Sequence, residues 1–241
     1  MSTAPELAGQ TVVLIGGSSG IGLETARRAH AEGADVILTG RNADRLERAA
    51  QEVGAVKTAA FDATDQAALA AFFAGLPETI DHVLVTGPGP YYAPLAELDR
   101  ERAHRDWDNH QWLAVAVTQH AVGRVRPGGT LLFMSGIGHR PGIGEALISA
   151  NSAALSVLIA NLALEVAPIR VNLIAAGFVD SPLSATLLGD DLDKRRAELR
   201  ATLPIRRVVE PADIAALAVH LMINTALTGA TYDIDGGQQL L

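Results

Sequence analysis

The stretch Thr11-Val-Val-Leu-Ile-Gly-Gly-Ser-Ser-Gly-Ile-Gly22 decides the fold of this 241-residue chain. Val12 to Ile15 favour a strand, glycines follow at positions 16, 20 and 22, and a helical pattern begins at Leu23. A strand, a glycine turn and a helix N-terminus expose backbone N–H groups at the positive end of a helix dipole, which suits a phosphate. The spacing G-x-x-x-G-x-G differs from the common fingerprint G-x-G-x-x-G, so an ordinary turn remains the alternative.

The composition favours one α/β domain and excludes several function classes. Hydrophobic residues make up 49% of the chain and aromatic residues only 4%, so the core is aliphatic. The net charge of −8, without Lys/Arg clusters, argues against nucleic-acid and anionic-membrane partners. The chain has no cysteine, and its 7 histidines are scattered, so we expect no metal. Residues 1–10 lack signal-peptide features, and we expect a cytoplasmic protein.

The segment from Ala146 to Leu164 carries no charge and approaches the length of a membrane span. It contains the polar residues Ser149, Asn151, Ser152, Ser156 and Asn161. An uncharged helix of this kind is usually buried against a sheet and a neighbouring subunit, and we favour that interpretation over a membrane span.

Strands and helices alternate along the whole chain, which predicts a parallel sheet covered on both faces. We therefore expect a single doubly wound Rossmann-type domain over residues 1–241 with a seven-stranded parallel sheet. Asn42 and Gly54 bound the second helix, Thr64 caps the third, and the segment from Ser181 to Leu203 is expected to be irregular. The expected strands are 12–15, 36–39, 56–60, 82–85, 130–134, 170–174 and 231–234, and the expected helices are 20–32, 43–53, 65–75, 99–125, 144–167 and 210–223.

The end of the second expected strand bears on cofactor choice. An acidic residue here would bind the ribose 2′-hydroxyl of NAD, but the chain has Gly40 followed by Arg41. A guanidinium suits a 2′-phosphate, with Ser18 and Ser19 as nearby hydroxyl donors. The alternative is that Arg41 is a solvated loop residue. We favour the phosphate and expect NADP(H).

Together these motifs resemble the short-chain dehydrogenase/reductase family over nearly the whole chain. The TGxxxGIG turn matches residues 15–22 with Ile15 for the threonine, and the Asp-Val after the third strand matches Asp62-Ala63. RVNxIxPGxVxTP matches residues 170–182, and the C-terminal PxDIA, TG and DGG matches begin at Pro211, Thr228 and Asp235. The resemblance implies a dinucleotide site. Its expected residues are Gly16, Ser18, Ser19, Gly20, Ile21, Gly22, Arg41, Asp62, Ala63, Thr86, Gly87, Ser152, Gly177 and Val179.

The chain departs from the family at the catalytic positions. The family's YxASKAAL segment is Ile148-Ser-Ala-Asn-Ser-Ala-Ala-Leu155 here, so isoleucine replaces the tyrosine and Ser152 replaces the lysine. The serine position falls on Gly136, and NNAG is replaced by residues 86–89. For the family's helical asparagine, the segment from Asn109 to Ala116 contains no confident match. The usual proton relay is absent from the sequence.

Four other residues are candidates for catalysis or for orienting a small-molecule substrate. Tyr91 and Tyr92 follow the fourth strand end, and Ser135 and His139 follow the fifth. The alternative is that the tyrosines pack their loop and His139 is solvated. Two functions remain open: an NADP(H)-dependent oxidoreductase acting on an activated acceptor, or a cofactor-binding pseudoenzyme. The long helix 99–125 and the uncharged helix 144–167 are expected to expose more apolar surface than one sheet face can cover, which predicts a homodimer or, in preference, a homotetramer.

Overall fold

A parallel seven-stranded sheet in the order β3-β2-β1-β4-β5-β6-β7 forms the centre of the protein. The structure is a computed structural model that describes residues 5–87, 89–137 and 142–241. The strands are β1 (Thr11–Ile15), β2 (Asp35–Gly40), β3 (Lys57–Ala60), β4 (Ile80–Val85), β5 (Val125–Gly136), β6 (Arg170–Ala176) and β7 (Thr231–Ile234). The strand order reverses between β1 and β4, and a ligand crevice is expected there beyond the carboxyl ends of the strands.

Helices cover both faces of the sheet. They are α1 (Gly20–Ala31), α2 (Ala43–Val53), α3 (Gln66–Ala74), α4 (Arg100–Ala121), α5 (Ala146–Glu165), α6 (Pro182–Leu188), α7 (Leu192–Thr202) and α8 (Pro211–Ile223). Short 3₁₀ turns lie at Leu95–Glu97, Gly189–Asp191 and Gln238–Leu240. This architecture confirms the expected Rossmann-type domain.

The two faces of the sheet form separate hydrophobic cores because successive strand residues point in opposite directions. Val13 and Ile15 of β1 pack into the core under α3, α4 and α5. Val12 and Leu14 of the same strand pack into the core under α1, α2 and α8. Both faces of the sheet are buried, which explains why the strands are continuous hydrophobic runs.

The second helix begins and ends as predicted, but the third is capped by a different residue. Asn42 Oδ1 accepts a hydrogen bond from the Arg45 N–H at 2.8 Å, and Gly54 closes α2 in the left-handed conformation (φ 76°). For α3 the prediction of Thr64 as cap is wrong. Asp65 Oδ1 accepts from the Ala67 and Ala68 N–H groups, whereas the Thr64 hydroxyl donates to Asp62. A carboxylate one residue later offers the better acceptor for the first helical turn.

The prediction that the segment from Ser181 to Leu203 is irregular is wrong. It forms α6 and α7, and α6 starts with a capping box between Ser181 and Ser184. Side-chain pairs spaced three residues apart, Asp193 with Arg196 and Arg195 with Glu198, support the polar helix α7. The charges mark the exposed face of a helix, which the sequence analysis interpreted as a loop.

The long uncharged segment is the helix α5, which packs on the sheet. Its length and mean hydropathy of 1.8 are sufficient for a membrane span. In the described structure it lies against β5, β6 and α4, and it buries Leu155, Ile159 and Leu162. The outward side leaves Val157 and Leu164 65% and 80% exposed. One side of α5 therefore belongs to the core, as expected.

Candidate functional site

A groove runs across the carboxyl ends of the strands, where the strand order reverses. Its first part is a cavity of about 300 Å³. Residues of the β1–α1 turn line it together with the ends of β2, β3 and β4. The cavity therefore lies where doubly wound folds bind nucleotides.

Gly16 and Gly22 of the glycine turn have no room for a side chain. A Cβ on Gly22 would lie 2.3 Å from the Gly16 carbonyl oxygen, and a Cβ on Gly16 would lie 2.1 Å from Thr86 Oγ1. Gly16 and Gly20 also adopt positive φ angles of 96° and 54°. These constraints bring the backbone of the turn close to any ligand in the cavity.

The N-terminus of α1 is open to an anion. Ser19 occupies the N-cap position, but its side chain makes no cap hydrogen bond, and the first turn has no acidic residue. The first N–H groups of the helix are therefore left without a side-chain acceptor from this cap. A diphosphate would supply the acceptor oxygens and the negative charge.

Two arginines line this cavity. One is Arg41, the candidate for a 2′-phosphate, and the other is Arg45 on the first turn of α2, which was not among the expected site residues. Arg45 follows the helix cap Asn42 by three residues, and this position in the sequence could have placed it near Arg41. Ser18 is buried beside Gly40, where a Cβ would lie 2.8 Å from Ser18 Oγ. An acidic side chain at position 40 would therefore collide with Ser18.

The end of β3 contributes an ionised carboxylate. Asp62 Oδ1 accepts hydrogen bonds from the Thr64 N–H at 3.0 Å and the Thr64 hydroxyl at 2.9 Å. The Thr64 backbone hydrogen bond holds the pKa of Asp62 below its usual value, and the Thr64 hydroxyl and the Arg41 charge act in the same direction. Asp62 and Ala63 line the same cavity as Arg41.

The groove continues into an apolar cavity of about 200 Å³. Ile21, Thr86, Ser181 and Leu183 line both cavities, so the two are adjacent parts of one groove. Thr86 Oγ1 donates to the Ile15 carbonyl at 3.3 Å, which ties the β4 end to the glycine turn. Beyond it the groove widens into a space of about 1040 Å³ bordered by α5, α6 and α7.

The groove fits a dinucleotide along its length. Gly16 and Gly22 of the glycine turn have no room for a side chain. The N-terminus of α1, which has no side-chain cap, suits a diphosphate. Arg41 and Arg45 line the same cavity. At the other end, Ser152, Gly177 and Val179 line the apolar cavity. Val179 is held by a bridge to Val209, and a Cβ on Gly177 would lie 2.6 Å from the Asp235 Cβ.

The residues at the family's tyrosine, lysine and serine positions lie at the apolar cavity. Ile148 and Ser152, one turn apart on α5, line it, and Gly136 at the end of β5 lies opposite them. A Cβ on Gly136 would come within 3.9 Å of Ser152 Oγ. Isoleucine, serine and glycine thus form this part of the wall.

The two tyrosines play different parts. The Tyr91 hydroxyl accepts a hydrogen bond from the Asp99 N–H at 3.0 Å, and the Arg102 guanidinium lies 4.5 Å from its ring centroid. Tyr91 therefore anchors the start of α4, although it also borders the wide part of the groove.

Tyr92 lines the apolar cavity and its wider extension. Burial raises the pKa of Tyr92, and the Glu145 and Asp106 carboxylates raise it further. Since 53% of the residue is exposed, solvent limits the size of this shift. The phenol is protonated at neutral pH, but the shift makes it a weaker acid.

Ser135 at the end of β5 lines the apolar cavity. The remaining candidate, His139, lies outside the described residues. Within the described ranges no group of three potential metal ligands occurs.

One buried polar cluster escaped the sequence analysis. Asp106 and Gln111 of α4 are hydrogen-bonded to Asn151 of α5, and His110 of α4 contacts Asp106. His110 and Asn151 line the apolar cavity. Asn151 Nδ2 donates to Asp106 Oδ2 at 3.1 Å, and Gln111 Nε2 donates to Asn151 Oδ1 at 2.5 Å. Asp106 and His110 are four residues apart, a spacing that places both on one helix face and was the available signal.

Comparison with known proteins gives consistent matches. The family model described as enoyl-(acyl carrier protein) reductase matches residues 16–239. The chain is 34% identical to a galactitol 2-dehydrogenase (L-tagatose-forming) of Cereibacter sphaeroides, over 98% of this chain and 97% of that protein. It is 28% identical to an NADP-dependent (R)-specific alcohol dehydrogenase of Lentilactobacillus kefiri, over 96% of this chain and 97% of that protein.

A solved structure resembles the whole chain. It is a small-chain dehydrogenase in complex with NADPH, with a TM-score of 0.83 and 26% identity over 96% of this chain and 99% of the other. That protein holds NADPH on the same fold.

Proposed function

The chain belongs to the short-chain dehydrogenase/reductase family, and on that premise we propose that it is an NADP(H)-dependent oxidoreductase that reduces an activated acceptor. The observation that carries the proposal is the continuous groove, which joins a phosphate-binding turn and two guanidinium groups to an apolar cavity. The groove provides a cofactor end and an acceptor end on one surface.

Each part of the groove has a role in holding the cofactor. The turn from Gly16 to Gly22 binds the diphosphate through backbone N–H groups and the dipole of α1. Arg41 and Ser18 bind the 2′-phosphate, with Arg45 as a further cation. The residues proposed for the adenine and for the nicotinamide half are Asp62, Ala63, Thr86, Gly87, Ser152, Gly177 and Val179.

Bound NADPH supplies a hydride to the acceptor. Three residues at the apolar cavity, two on α5 and one at the end of β5, give that step little help. Ile148 has no proton to donate, Ser152 carries no charge, and Gly136 has no hydroxyl. An acceptor already polarised, such as a quinone, an iminium ion or a conjugated carbonyl, needs less assistance. The active site is atypical for this reason.

The apolar cavity favours a hydrophobic acceptor. Its lining includes Met134, Leu155 and Phe178, with Tyr92 and Ser135 as polar groups at its wall. We assign Tyr92 and Ser135 to orienting the acceptor and Tyr91 to holding the loop. His139 remains a candidate from the sequence.

A cofactor-binding pseudoenzyme is the second candidate function. The observation that favours it is the replacement of the usual tyrosine and lysine by Ile148 and Ser152 at an otherwise complete cofactor groove. Such a protein would bind NADPH and act as a sensor, scaffold or partner subunit without turnover.

A homo-oligomer, preferably a tetramer, is part of the proposal. The apolar residues Trp107 and Trp112 on α4 are 43% and 60% exposed, and Val157 and Leu164 on the adjacent α5 are more exposed still. A self-complementary patch of this kind closes by two-fold symmetry. We place the assembly in the cytoplasm, where NADPH is available.

The assembly is tested by light scattering at micromolar concentration. Trp112→Glu and Leu164→Glu are expected to lower the mass towards that of a monomer. Val56→Glu, at a residue 60% exposed elsewhere on the surface, is the matched control and leaves the mass unchanged. A monomeric mass for the unmutated protein contradicts the assembly.

Turnover is tested by following NADPH absorbance with 1,4-naphthoquinone, 2-cyclohexen-1-one and cyclohexanone. We expect NADPH to be oxidised with the first two acceptors and only slightly with cyclohexanone. The alkoxide that forms from an unactivated ketone would lack a stabilising lysine charge, because Ser152 stands at the lysine position. Cyclohexanone turnover of about 1–10³ s⁻¹, which is typical of enzymes, contradicts the restriction to activated acceptors. NADPH binding without oxidation by any acceptor favours the pseudoenzyme.

A further inference from the structure

His110 is the titratable side chain on α4 that borders the apolar cavity. Its side chain is 11% exposed, and it shares the cavity wall with Ser135, Ile148 and Ser152. Among the described residues, the titratable groups lining this cavity are His110 and Tyr92; the residues from β4, β5, α5 and α6 are neutral. The imidazole therefore faces the space assigned to the acceptor.

The tautomer of His110 follows from one hydrogen bond. Its Nδ1 lies 2.7 Å from the backbone carbonyl oxygen of Asp106. A carbonyl oxygen only accepts, so Nδ1 carries the proton and donates. Nε2, which has no hydrogen-bond partner in the described part of the chain, is left to exchange a proton with a ligand.

The Asp106 carboxylate supports the ring. Asp106 is buried, and its Oδ1 lies 3.6 Å from His110 Nδ1. Asn151 and Gln111 hold the carboxylate in place through the hydrogen-bonded chain described above. A fixed negative charge at this distance complements the positive charge of a protonated imidazole. Neighbouring α5 contributes the neutral Asn151 to this cluster, so no second charge from that helix opposes it.

The other titratable group at this cavity is a poorer acid. Burial and two carboxylates raise the pKa of Tyr92, whereas a general acid works best when its pKa lies near the working pH. Imidazole is the side-chain type whose ordinary titration range meets that condition.

We propose that His110 is the catalytic proton donor of this oxidoreductase and that Asp106 is its positioning residue. This inference rests on the proposed function. A proton leaves Nε2 and forms an O–H bond with the acceptor oxygen, while the acceptor carbon receives the hydride that NADPH supplies. The acceptor is reduced by two electrons, NADPH is oxidised to NADP⁺, and solvent returns a proton to the neutral imidazole.

The first test compares His110→Gln with His104→Gln. His104 lies on the exposed side of the same helix and serves as the matched control. His110→Gln is expected to lower kcat with 2-cyclohexen-1-one about 10²-fold or more, the usual contribution of a general acid. NADPH affinity, followed by fluorescence, stays unchanged in both variants.

The pH profile separates proton donation from a merely structural role. A limb of the pH–rate profile that is present in the unmutated protein and missing in His110→Gln identifies proton donation by this residue. Asp106→Asn is expected to lower kcat and to leave KM and NADPH affinity unchanged, because the neutral amide no longer complements the positive charge of the protonated ring.

The tautomer of His110 is measurable without cofactor. NMR of ¹⁵N-histidine-labelled apoprotein, assigned by the signal lost in His110→Gln, is expected to show the Nδ1–H tautomer. An Nε2–H tautomer in the unmutated protein contradicts the proposed arrangement of His110.

The outcomes distinguish this proposal from the proposed function. If the unmutated protein oxidises NADPH and His110→Gln is as active as His104→Gln with the same pH profile, only the assignment of His110 is overturned. If the unmutated protein binds NADPH and turns over no acceptor, both proposals are overturned.

Discussion

The two ends of the groove are built by different means. The proposed diphosphate site is one short stretch of chain, Gly16 to Gly22, and it would act through backbone groups and a helix dipole. The proposed reacting end is assembled from the β4–α4 loop, β5, α4 and α5, and it would act through individual side-chain atoms such as His110 Nε2. A phosphate site made of backbone N–H groups keeps its function when many side chains change. A proton relay is lost when a single side chain changes. This difference explains why the turn fits the family pattern and the catalytic positions depart from it.

Adding one methyl group at each end is expected to give the sharpest contrast. Gly22→Ala places a Cβ 2.3 Å from the Gly16 carbonyl, so NADPH affinity should fall at least about 100-fold, with a loss of stability of about 1–3 kcal/mol. Gly136→Ala has 3.9 Å of space before Ser152 Oγ and is expected to leave the affinity unchanged. Fluorescence titration and urea unfolding measure both effects. Equal losses in the two variants would remove the distinction between the two ends.

Arg41→Ala tests the charge at the phosphate end. A hydrogen bond to a charged group contributes about 1.5–3 kcal/mol, so NADPH affinity should fall about 10–150-fold while NADH affinity changes little. Arg45→Ala is the comparison variant, and it is expected to lower NADPH affinity less than Arg41→Ala does. Calorimetric titration with both cofactors measures the difference, and equal affinity of the unmutated protein for NADPH and NADH would refute the 2′-phosphate site.

Tyr92→Phe tests a residue at the reacting end other than the proposed proton donor His110. If the Tyr92 hydroxyl orients the acceptor, kcat/KM should fall by less than about tenfold, and NADPH affinity should not change. Tyr91→Phe removes the acceptor of the Asp99 N–H and is expected instead to lower stability by about 0.5–1.5 kcal/mol. A loss of about 10²-fold or more for Tyr92→Phe would transfer the role of donor from His110 to Tyr92.

His82 gives the smallest expected effect on the groove, since it lies near the amino end of the central strand β4, whereas the groove crosses the carboxyl ends of the strands. Its Nε2 lies 2.8 Å from Gln10 Oε1, and its buried Nδ1 has no partner in the described structure. Burial lowers the pKa of His82 to about 3, with opposing and reinforcing contributions from Asp81 and Arg126. The ring is therefore neutral in the folded protein at neutral pH, and it is not a proton donor.

The sign of the resulting pH dependence follows from linkage. The unfolded chain binds a proton at His82 below its ordinary pKa of 6.5 and the folded protein does not until about pH 3, so stability falls as pH falls between these values. The slope is about 1.4 kcal/mol per pH unit. Urea unfolding of His82→Gln should lack this part of the slope and leave NADPH affinity unchanged. An identical slope in both proteins would show that His82 is protonated in the folded state.

Local sequence determined the fold and the phosphate end because both depend on interactions between residues close in the chain. The hydrophobic strand, the glycine turn and the helix caps at Asn42 and Gly54 are local features, and the structure has them where they were predicted. The helices α6 and α7 were missed because their stability depends on side-chain pairs that a polar composition conceals.

Only the tertiary structure decided what surrounds the reacting end. Asp106 and Asn151 are 45 residues apart in the chain, and they meet because α4 and α5 pack side by side on one face of the sheet. The sequence identified Ile148 and Ser152 as departures from the family pattern, and it located the helical segment from Asn109 to Ala116 without indicating that His110 is the residue that borders the same cavity. Which side chains share a cavity depends on the register between packed helices, and that register is set by long-range packing.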